Sequence, residues 1–166
     1  VLDAPCDGYT WGSGAIKDLG TYIITGTLNT KAQDWHVFLN TANATVVSVT
    51  PNAPIKDFAE FLEMMKKHPK QLSVAIAGIP SAGHTAIEAI KLASGGDYKP
   101  VSYDGGNPAV ISTVAGETMA TPQLLSEQIE MIRAKRLRPL AALTPEDLNI
   151  EGYGKVPSIR KWLPKV

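Results

Sequence analysis

The sequence predicts an α/β fold in which parallel strands are joined by crossover helices. From the middle of the chain onward, strand-like and helix-like segments alternate, with helix-start and helix-stop residues at their boundaries. Glycine-containing turns follow two of the strand-like segments. This alternation is typical of a parallel sheet covered by helices.

The first predicted helix lies over residues 58–67. Phe58, Phe61 and Met65 recur at helical spacing. Asp57 and Glu60 fit a capping box at its start, in which each side chain accepts a backbone N–H of the other residue. This segment therefore predicts an amphipathic helix.

Three strand-helix units follow this helix. The predicted pairs are a strand over 72–76 with a helix over 81–93, a strand over 101–103 with a helix over 108–115 capped by Asn107, and a strand over 117–121 with a helix from 122 to about 135. A strand over 137–143 comes next, and prolines and glycines beyond 144 predict an irregular surface tail. Near the front, 9–13 and 22–27 are predicted as strands or loops.

Composition excludes several classes of protein. The 166 residues include 16 basic and 16 acidic ones, so no broad field attracts nucleic acid or an anionic membrane. The single cysteine, Cys6, excludes a disulfide framework and a cysteine-built zinc site. His36, His68 and His84 are too far apart in sequence to suggest a metal site. Nucleotide-binding glycine motifs are missing, so we expect neither metal nor cofactor.

The loop over 78–84 is the main candidate for ligand binding. Ligands of parallel sheets lie at the carboxyl ends of the strands, where helix N-termini present free amide hydrogens. Gly78 and Gly83 let backbone amides approach a ligand, and Ser81 is a suitable N-cap. Asn107 and Thr121 mark the two other predicted helix starts. A turn of small residues is also needed before a helix that binds nothing. The pattern alone therefore favours a binding loop and a purely structural turn about equally.

The same loop suggests a hydrolase as an alternative. Ser81 and His84 would act as nucleophile and base, with Glu88 one helical turn beyond His84. However, Ile79 occupies the position where a G-x-S-x-G elbow needs glycine, and an ordinary helix pair explains His84 and Glu88 equally well. Binding without catalysis is the favoured hypothesis.

Taken in order, segments along nearly the whole chain resemble the TctC or Bug family, the periplasmic receptors of tripartite tricarboxylate transporters. The matching segments are 4–10 (APCDGYT), 51–62, 68–72 (HPKQL), the loop with Ala77, Gly78, Ser81, His84 and Glu88, the loop with Val101, Tyr103, Gly105, Pro108 and Ala109, and the segments 134–141 and 156–158. The ordered set is specific, although no single motif decides it.

The resemblance implies a type II periplasmic-binding-protein architecture, with two lobes and parallel-rich sheets. Residues 1–45 with 139–166 would form an incomplete first lobe, and 46–138 the second lobe. The hinge crossings would lie near 42–49 and 137–143. The family's first strand and its final segments would lie outside this sequence, so we expect a chain truncated at both ends.

The resemblance also implies function, namely the extracytoplasmic solute-binding component of a tripartite tricarboxylate-type transporter. It would be a non-enzymatic periplasmic protein, with its export signal absent from this sequence, that works with membrane transporter subunits. Its ligand would be a small carboxylate, either a di- or tricarboxylate, an aromatic acid or an acidic amino acid. A ligand-sensing module for a membrane signalling partner is a further alternative. The candidate ligand-binding residues are Gly78, Ser81, Ala82, Gly83, His84, Tyr103, Gly105, Gly106, Asn107, Pro108, Ala109 and Thr121.

Three positions depart from the family pattern. Pro80 replaces a usual glycine, Gly83 an often polar residue, and Asp104 a usual lysine. A carboxylate at 104 opposes an anionic ligand, so we expect Asp104 to face solvent or the ligand to carry an amine as well.

Overall fold

The computed structural model describes residues 4–5, 7–12, 16–38 and 41–166. It divides into two compact units, Val1–Thr41 and Ala42–Val166. The first unit contains α1 (Ile16–Thr25) and a 3-10 turn (Ala32–Asp34). The prediction of strand or loop over 22–27 is wrong for 22–25, which are helical, because β-branched residues disfavour a helix only weakly. Of the segment 9–13, residues 9–12 have no regular structure and Ser13 lies outside the described residues.

The second unit is built on a five-stranded sheet with the order β3-β2-β4-β1-β5. Its strands are β1 (Thr45–Val49), β2 (Ser73–Ile76), β3 (Lys99–Ser102), β4 (Ala120–Leu124) and β5 (Arg138–Ala142). β2 is parallel to both β3 and β4, whereas β1 runs antiparallel to β4 and β5. The predicted α/β class with a parallel-rich sheet is confirmed.

Four helices connect these strands: α2 (Phe58–Lys67), α3 (Ala82–Ser94), α4 (Gly106–Ala115) and α5 (Leu125–Arg133). Their order confirms the predicted strand-helix units. At the start of α2, Asp57 accepts the N–H of Glu60 at 2.9 Å. The Glu60 carboxylate accepts the N–H of Lys56 rather than that of Asp57, so only half of the predicted capping box forms.

The start of α4 differs from the prediction. The N-cap is Gly105, with φ of 106°, and Asn107 and Pro108 are the second and third helical residues. The predicted cap at Asn107 is therefore wrong. Only glycine readily adopts such a positive φ, so the chain turns into the helix at Gly105, before the residues that resemble a cap and a first turn.

The β4-α5 boundary also differs. Pro122, predicted to begin a helix, lies within β4 opposite Val47, and α5 begins at Leu125. Pairing with β1 thus overrides the local helix-start signal. β2 is in register with β4 only at Val74 and Ala120, so the missing N–H of Pro122 lies beyond that ladder.

Two apolar clusters cover the sheet. Val47 and Val49 belong to one cluster, and Val46 to the other, as the alternation of side chains along a strand requires. In the first cluster the Phe58 ring lies 5.2 Å from the Trp162 ring. Residues near the end of the chain therefore complete the core around α2.

The predicted irregular tail is partly ordered. It contains β6 (Leu148–Ile150), β7 (Gly154–Val156) and a 3-10 turn (Ile159–Lys161). The Asp147 carboxylate accepts the Ser158 N–H at 2.9 Å and pairs with Lys155 and Lys161 at 3.0 and 2.9 Å. The prediction of an irregular tail is wrong here, because the Asp147 carboxylate binds residues that are distant from it in sequence and thereby holds β7 and the 3-10 turn in place.

The boundary between the two compact units differs from the lobe boundaries that the sequence predicts. The boundary lies between Thr41 and Ala42, and residues 139–166 belong to the unit that contains the sheet. The backbone explains this grouping, because Ala142 forms a parallel bridge with Ser158. Assignment of 139–166 to a first lobe remains a prediction.

Replacement of Asp147 tests the tail's electrostatics. The Ser158 N–H, then Lys161 and Lys155, lower the Asp147 pKa below its ordinary value of 3.8. Its contribution to stability is therefore full above that ordinary value and lost as pH falls through the lowered pKa. We expect Asp147→Asn to lower Tm at pH 7, with a difference from the parent that shrinks below pH 4 in calorimetric scans. Glu146→Gln, on the same turn, should show no such pH-dependent difference, and a constant difference for Asp147→Asn would contradict the assignment.

Candidate functional site

The loop between β2 and α3 carries the principal candidate residues. Gly78 has φ of 82°, a conformation that favours glycine. Ile79 and Pro80 are exposed, while Ser81 is half-buried. The Ser81 hydroxyl accepts the N–H of His84 at 3.1 Å, which confirms Ser81 as the N-cap of α3. The N–H groups of Ala82 and Gly83 therefore belong to the first helical turn, where the helix itself provides no acceptor.

The loop between β3 and α4 lies beside the first one. The N–H of Tyr103 donates to the Ile76 carbonyl at 2.9 Å. A Cβ placed on Gly78 would lie 3.8 Å from the Tyr103 carbonyl oxygen. Because β2 and β3 are adjacent and parallel, the starts of α3 and α4 lie at the same edge of the sheet. The predicted pair of neighbouring loops is thus present.

Gly83 packs closely on the third segment at this edge. A Cβ placed on it would lie 2.3 Å from the Pro122 carbonyl oxygen and 2.8 Å from Gln123 Nε2. Gly83 is buried, so packing of α3 on β4 is reason enough for a glycine here. The half-buried Ala82 precedes it in the first turn.

A carboxylate of the chain itself lies at the start of α4. A Cβ placed on Gly106 would lie 2.1 to 2.3 Å from the carboxyl atoms of Glu127. Glu127 also accepts the N–H of Leu124, the N-cap of α5, at 3.2 Å. One acidic side chain therefore contacts the first turn of α4 and caps α5. This side of α4 is occupied, and Asn107 and Pro108 form its exposed side.

The Tyr103 phenol extends along α4, away from the helix start. Its oxygen accepts a hydrogen bond from the Ser112 hydroxyl at 2.5 Å and lies 3.5 Å from Glu117 Oε2. Ser112 is six residues beyond Gly106, a rise of about 9 Å in an α-helix. The backbone of Tyr103, rather than its phenol, borders the loop. Ala109, another predicted binding residue, is buried.

The hydrogen bonds around His84 differ from those of a catalytic triad. The Ser81 hydroxyl bonds the His84 backbone. Glu88 accepts the Tyr98 hydroxyl at 2.8 Å. Burial first, and then Glu88, raise the pKa of Tyr98. In the part of the chain that the structure describes, no hydrogen bond joins the Ser81 hydroxyl or Glu88 to the His84 imidazole.

Thr121 does not begin a helix, and that prediction is wrong. It is fully buried in β4, where its hydroxyl donates to the Ala75 carbonyl at 3.4 Å. Sequence reasoning missed Gln123, two residues further along β4. It is 1% exposed, and its Nε2 has no hydrogen-bond partner in the described part of the chain. That amide lies beside Gly83 in the first turn of α3. The only sequence signal was a polar residue at a buried strand position, which needs the correct register to be recognised.

The formal charges at this edge are acidic. Segments 77–84, 103–109 and 121–127 contain Asp104 and Glu127 but neither lysine nor arginine. Asp104 is exposed, as one of the two expectations for it required. Any attraction for an anion must therefore come from backbone dipoles and neutral donors.

The described residues offer no group of three or more histidine, cysteine, aspartate or glutamate side chains placed to hold a metal ion. Within the same residues, no helix has the length and apolar character needed to cross a membrane.

Comparison with known families shows the family to which this chain belongs. A sequence model described as the tripartite tricarboxylate transporter family receptor, TctC, matches residues 1–160. The chain belongs to this receptor family. The resemblance drawn from ordered motifs is therefore confirmed.

Individual TctC relatives extend the comparison. A Pseudomonas sp. protein, the "UPF0065 protein in tcbD-tcbE intergenic region", is 30% identical over 95 residues, which cover 57% of this chain and 28% of the relative. Protein BugT of Bordetella pertussis is 25% identical over 101 residues, 61% of this chain and 31% of BugT. The aligned parts span less than a third of these curated relatives.

Solved structures show the same architecture. A periplasmic transporter structure matches with 34% identity and a TM-score of 0.66, covering 74% of this chain and 41% of that one. A TctC solute-binding protein from Polaromonas matches at 24% identity with a TM-score of 0.72, covering 87% and 49%. An R. palustris protein solved with adipate (23%, TM-score 0.68) and MatC from Rhodopseudomonas palustris with malate (22%, 0.67) each match 74% of this chain and 41% of their own. The type II periplasmic-binding-protein fold is thereby confirmed.

Gly83→Ala tests the packing that positions α3 in this TctC-family chain. The added Cβ would meet the Pro122 carbonyl at 2.3 Å, so either the helix or β4 must shift. We expect a loss of about 1–3 kcal/mol in the free energy of unfolding, measured by urea denaturation. Leu92→Ala, on the same helix at an 82% exposed position, should change it by less than about 0.5 kcal/mol. Equal effects of the two substitutions would show that the contact at Gly83 is not tight.

Proposed function

We propose that this chain is part of the solute-binding component of a tripartite tricarboxylate-type transporter, and that it captures a small carboxylate at the β2-α3 and β3-α4 loops. The observation that carries the proposal is the convergence of two helix starts from adjacent parallel strands. The Tyr103–Ile76 hydrogen bond holds the two loops side by side. Membership of the TctC family and the adipate- and malate-bound neighbours support the carboxylate class.

The proposed contacts are backbone amides and hydroxyls. The N–H groups of Ala82 and Gly83 and the Ser81 hydroxyl would donate hydrogen bonds to the oxygens of one ligand carboxylate. The loop from Gly105 to Ala109 would contact the ligand from the neighbouring side. The buried Nε2 of Gln123 is a further donor that has no partner within the described ranges, and it lies against the same helical turn. An unpaired buried amide costs free energy, which a ligand or bridging water at this edge would recover.

The free energy that a helix start contributes indicates that these two loops alone would bind a ligand only weakly. A helix start stabilises a nearby negative charge by about 0.3–1 kcal/mol at exposed sites. Two starts therefore give at most a binding gain of about thirtyfold, since each 1.4 kcal/mol corresponds to a factor of ten. Tight capture requires a second wall, as in a protein that closes two lobes on its ligand.

We propose the lobe assignment on this basis. Residues 46–138 would form the second lobe, and 1–45 with 139–166 part of the first, with hinge crossings near 42–49 and 137–143. The crossing segments are hydrogen-bonded neighbours, because the Leu143 N–H donates to the Thr45 carbonyl at 2.8 Å. Ligand contact with both lobes would stabilise a closed form that membrane transporter subunits read in the periplasm.

Binding without catalysis is the function that this geometry favours. The Ser81 hydroxyl caps α3, and Glu88 bonds Tyr98. A nucleophile needs a base within hydrogen-bond reach and a third group to orient that base. The arrangement around Ser81 and His84 lacks both of these bonds among the described residues.

A ligand titration of Ser81→Asp tests the proposed site. Aspartate is as good an N-cap as serine, so the substitution should keep α3 while placing a negative charge where the ligand carboxylate would bind. In the parent, malate or adipate should shift, with saturation, the NMR amide signals of residues 78–84 and 105–109 other than Pro80 and Pro108, which have no amide hydrogen. NMR suits this measurement because it detects millimolar affinities. In Ser81→Asp the affinity should fall at least about tenfold, which corresponds to 1.4 kcal/mol.

Asp57→Ser provides the matched control. It makes the reverse exchange at the N-cap of α2, away from the candidate loops, and should leave the titration unchanged. The proposal fails if residues 78–84 show no saturable shift with any di- or tricarboxylate, aromatic acid or acidic amino acid. It also fails if Ser81→Asp binds as well as the parent.

Asp104→Asn tests the ligand's charge. Glutarate and glutamate share a carbon chain, but glutamate adds an ammonium group that Asp104 would attract. We expect the parent to bind glutamate more tightly, and Asp104→Asn to narrow this preference about three- to fivefold, the size of an exposed charge pair. Paired NMR titrations measure the ratio, with Glu63→Gln as an exposed control on α2. An unchanged ratio would show that Asp104 does not act on the ligand.

A further inference from the structure

A cleft lies at the edge of the sheet opposite to the candidate carboxylate loops. It has a volume of about 330 Å³ and is lined by Pro51, Lys135, Leu137, Arg138, Gly152 and Tyr153. Arg138 begins β5 and pairs with Val49, the last residue of β1. Val49 also pairs with Ala120, where β4 begins. This edge is therefore the one at which the parallel strands start, whereas the candidate carboxylate loops leave the edge at which they end.

Arg138 gives this cleft a fixed positive charge. Its Nη2 donates to the carbonyl oxygens of Ile55 and Ala53, which holds the guanidinium in place. Its Nε is buried and has no hydrogen-bond partner among the residues that the structure describes. Among the described residues no carboxylate forms an ion pair with Arg138. The charge of a half-buried guanidinium thus remains without a counter-ion, an arrangement that favours an anion nearby.

Lys135 adds a second charge from an unusual backbone position. Its φ is 56°, in the left-handed region that is unfavourable for a residue with a side chain. The turn is nevertheless held, since the N–H groups of Lys135 and Arg136 donate to Ile132 and Met131 at 2.9 and 2.8 Å. No ion pair to Lys135 occurs in the described part of the chain. The lysine is therefore directed to the cleft by a turn that glycine would form more easily.

The surroundings do not cancel this charge. None of the six lining residues is acidic. Carbonyls in the last turn of α5 would repel an anion, but those of Glu130, Met131 and Ile132 accept N–H groups from the four residues that follow the helix. Arg133 donates to the Glu151 carbonyl at 2.8 Å and pairs with Glu130 at 2.9 Å, so the Glu130 carboxylate is already engaged.

We propose that this cleft binds a compact oxyanion, a phosphate or carboxylate group. Lys135 and Arg138 would supply the charge, and the Gly152 N–H and Tyr153 hydroxyl, from two further lining residues, would be neutral donors. The volume is at the lower end for small-ligand sites, which suits a group of this size. The site is separate from the proposed carboxylate loops, because a whole strand length lies between the two edges of the sheet.

The test is an NMR titration of the whole chain with inorganic phosphate and, in a separate arm, acetate. Sodium chloride keeps the ionic strength constant. The amide signals of Lys135, Gly152 and Tyr153 should shift with saturation, and the arm with the tighter binding identifies the oxyanion. In Lys135→Gly the affinity should fall at least about fivefold, the size of a 1 kcal/mol charge contribution. Glycine suits the left-handed backbone, so this variant should fold as well as the parent or better.

Two further variants complete the test. Lys135→Arg keeps the charge and should keep the affinity. Lys70→Gln removes one charge from the turn before β2, which is separated from β5 by two strands, or about 14 Å at the usual strand spacing. It should leave the titration unchanged. Linear shifts without saturation, equal affinity in Lys135→Gly, or an equal loss in Lys70→Gln would each overturn the proposal.

Discussion

The close packing of α3 on β4 is the constraint on which the rest of this edge depends. Gly83 lies so near the Pro122 carbonyl that a single added carbon would displace one of the two elements. Gly106 is also buried at the start of α4, where it contacts the Glu127 carboxylate. The lack of a side chain at Gly83 thus sets how closely α3 approaches β4. A ligand loop placed by core packing is rigid before any ligand arrives, which lowers the entropic cost of binding.

The edge that carries the starts of α3 and α4 provides backbone dipoles but no lysine or arginine side chain from its three loop segments. Asp104 is exposed, and Glu127 already occupies two N–H-rich positions. On the proposed function, a ligand at this edge would be selected through the number and direction of its acceptors rather than through its total charge. Tight binding would require a second wall, because helix starts at an exposed edge contribute only modestly.

Much of the fold was predictable from sequence because its signals are local. The caps at Asp57 and Ser81 predicted the starts of α2 and α3 to within one residue. The errors at β4 and in the tail share one physical cause, since each depends on a distant partner. Pro122 is a strand residue only because β1 pairs with it, and the tail is ordered only because Asp147 gathers it. Gln123 escaped notice for the same reason, because a register error of a few residues placed it on a helix.

The position of β1 has a consequence for how the chain acquires its structure. β1 lies between β4 and β5, yet β4 begins 71 residues after β1 ends. A ribosome that adds roughly 5–20 residues per second needs about 4–14 s to produce that interval. Throughout it, the apolar segment TVVSV has neither of its neighbours and offers two unpaired edges to any other strand. β1, an interior strand of the finished sheet, is thus the one most in need of protection while the chain is being made.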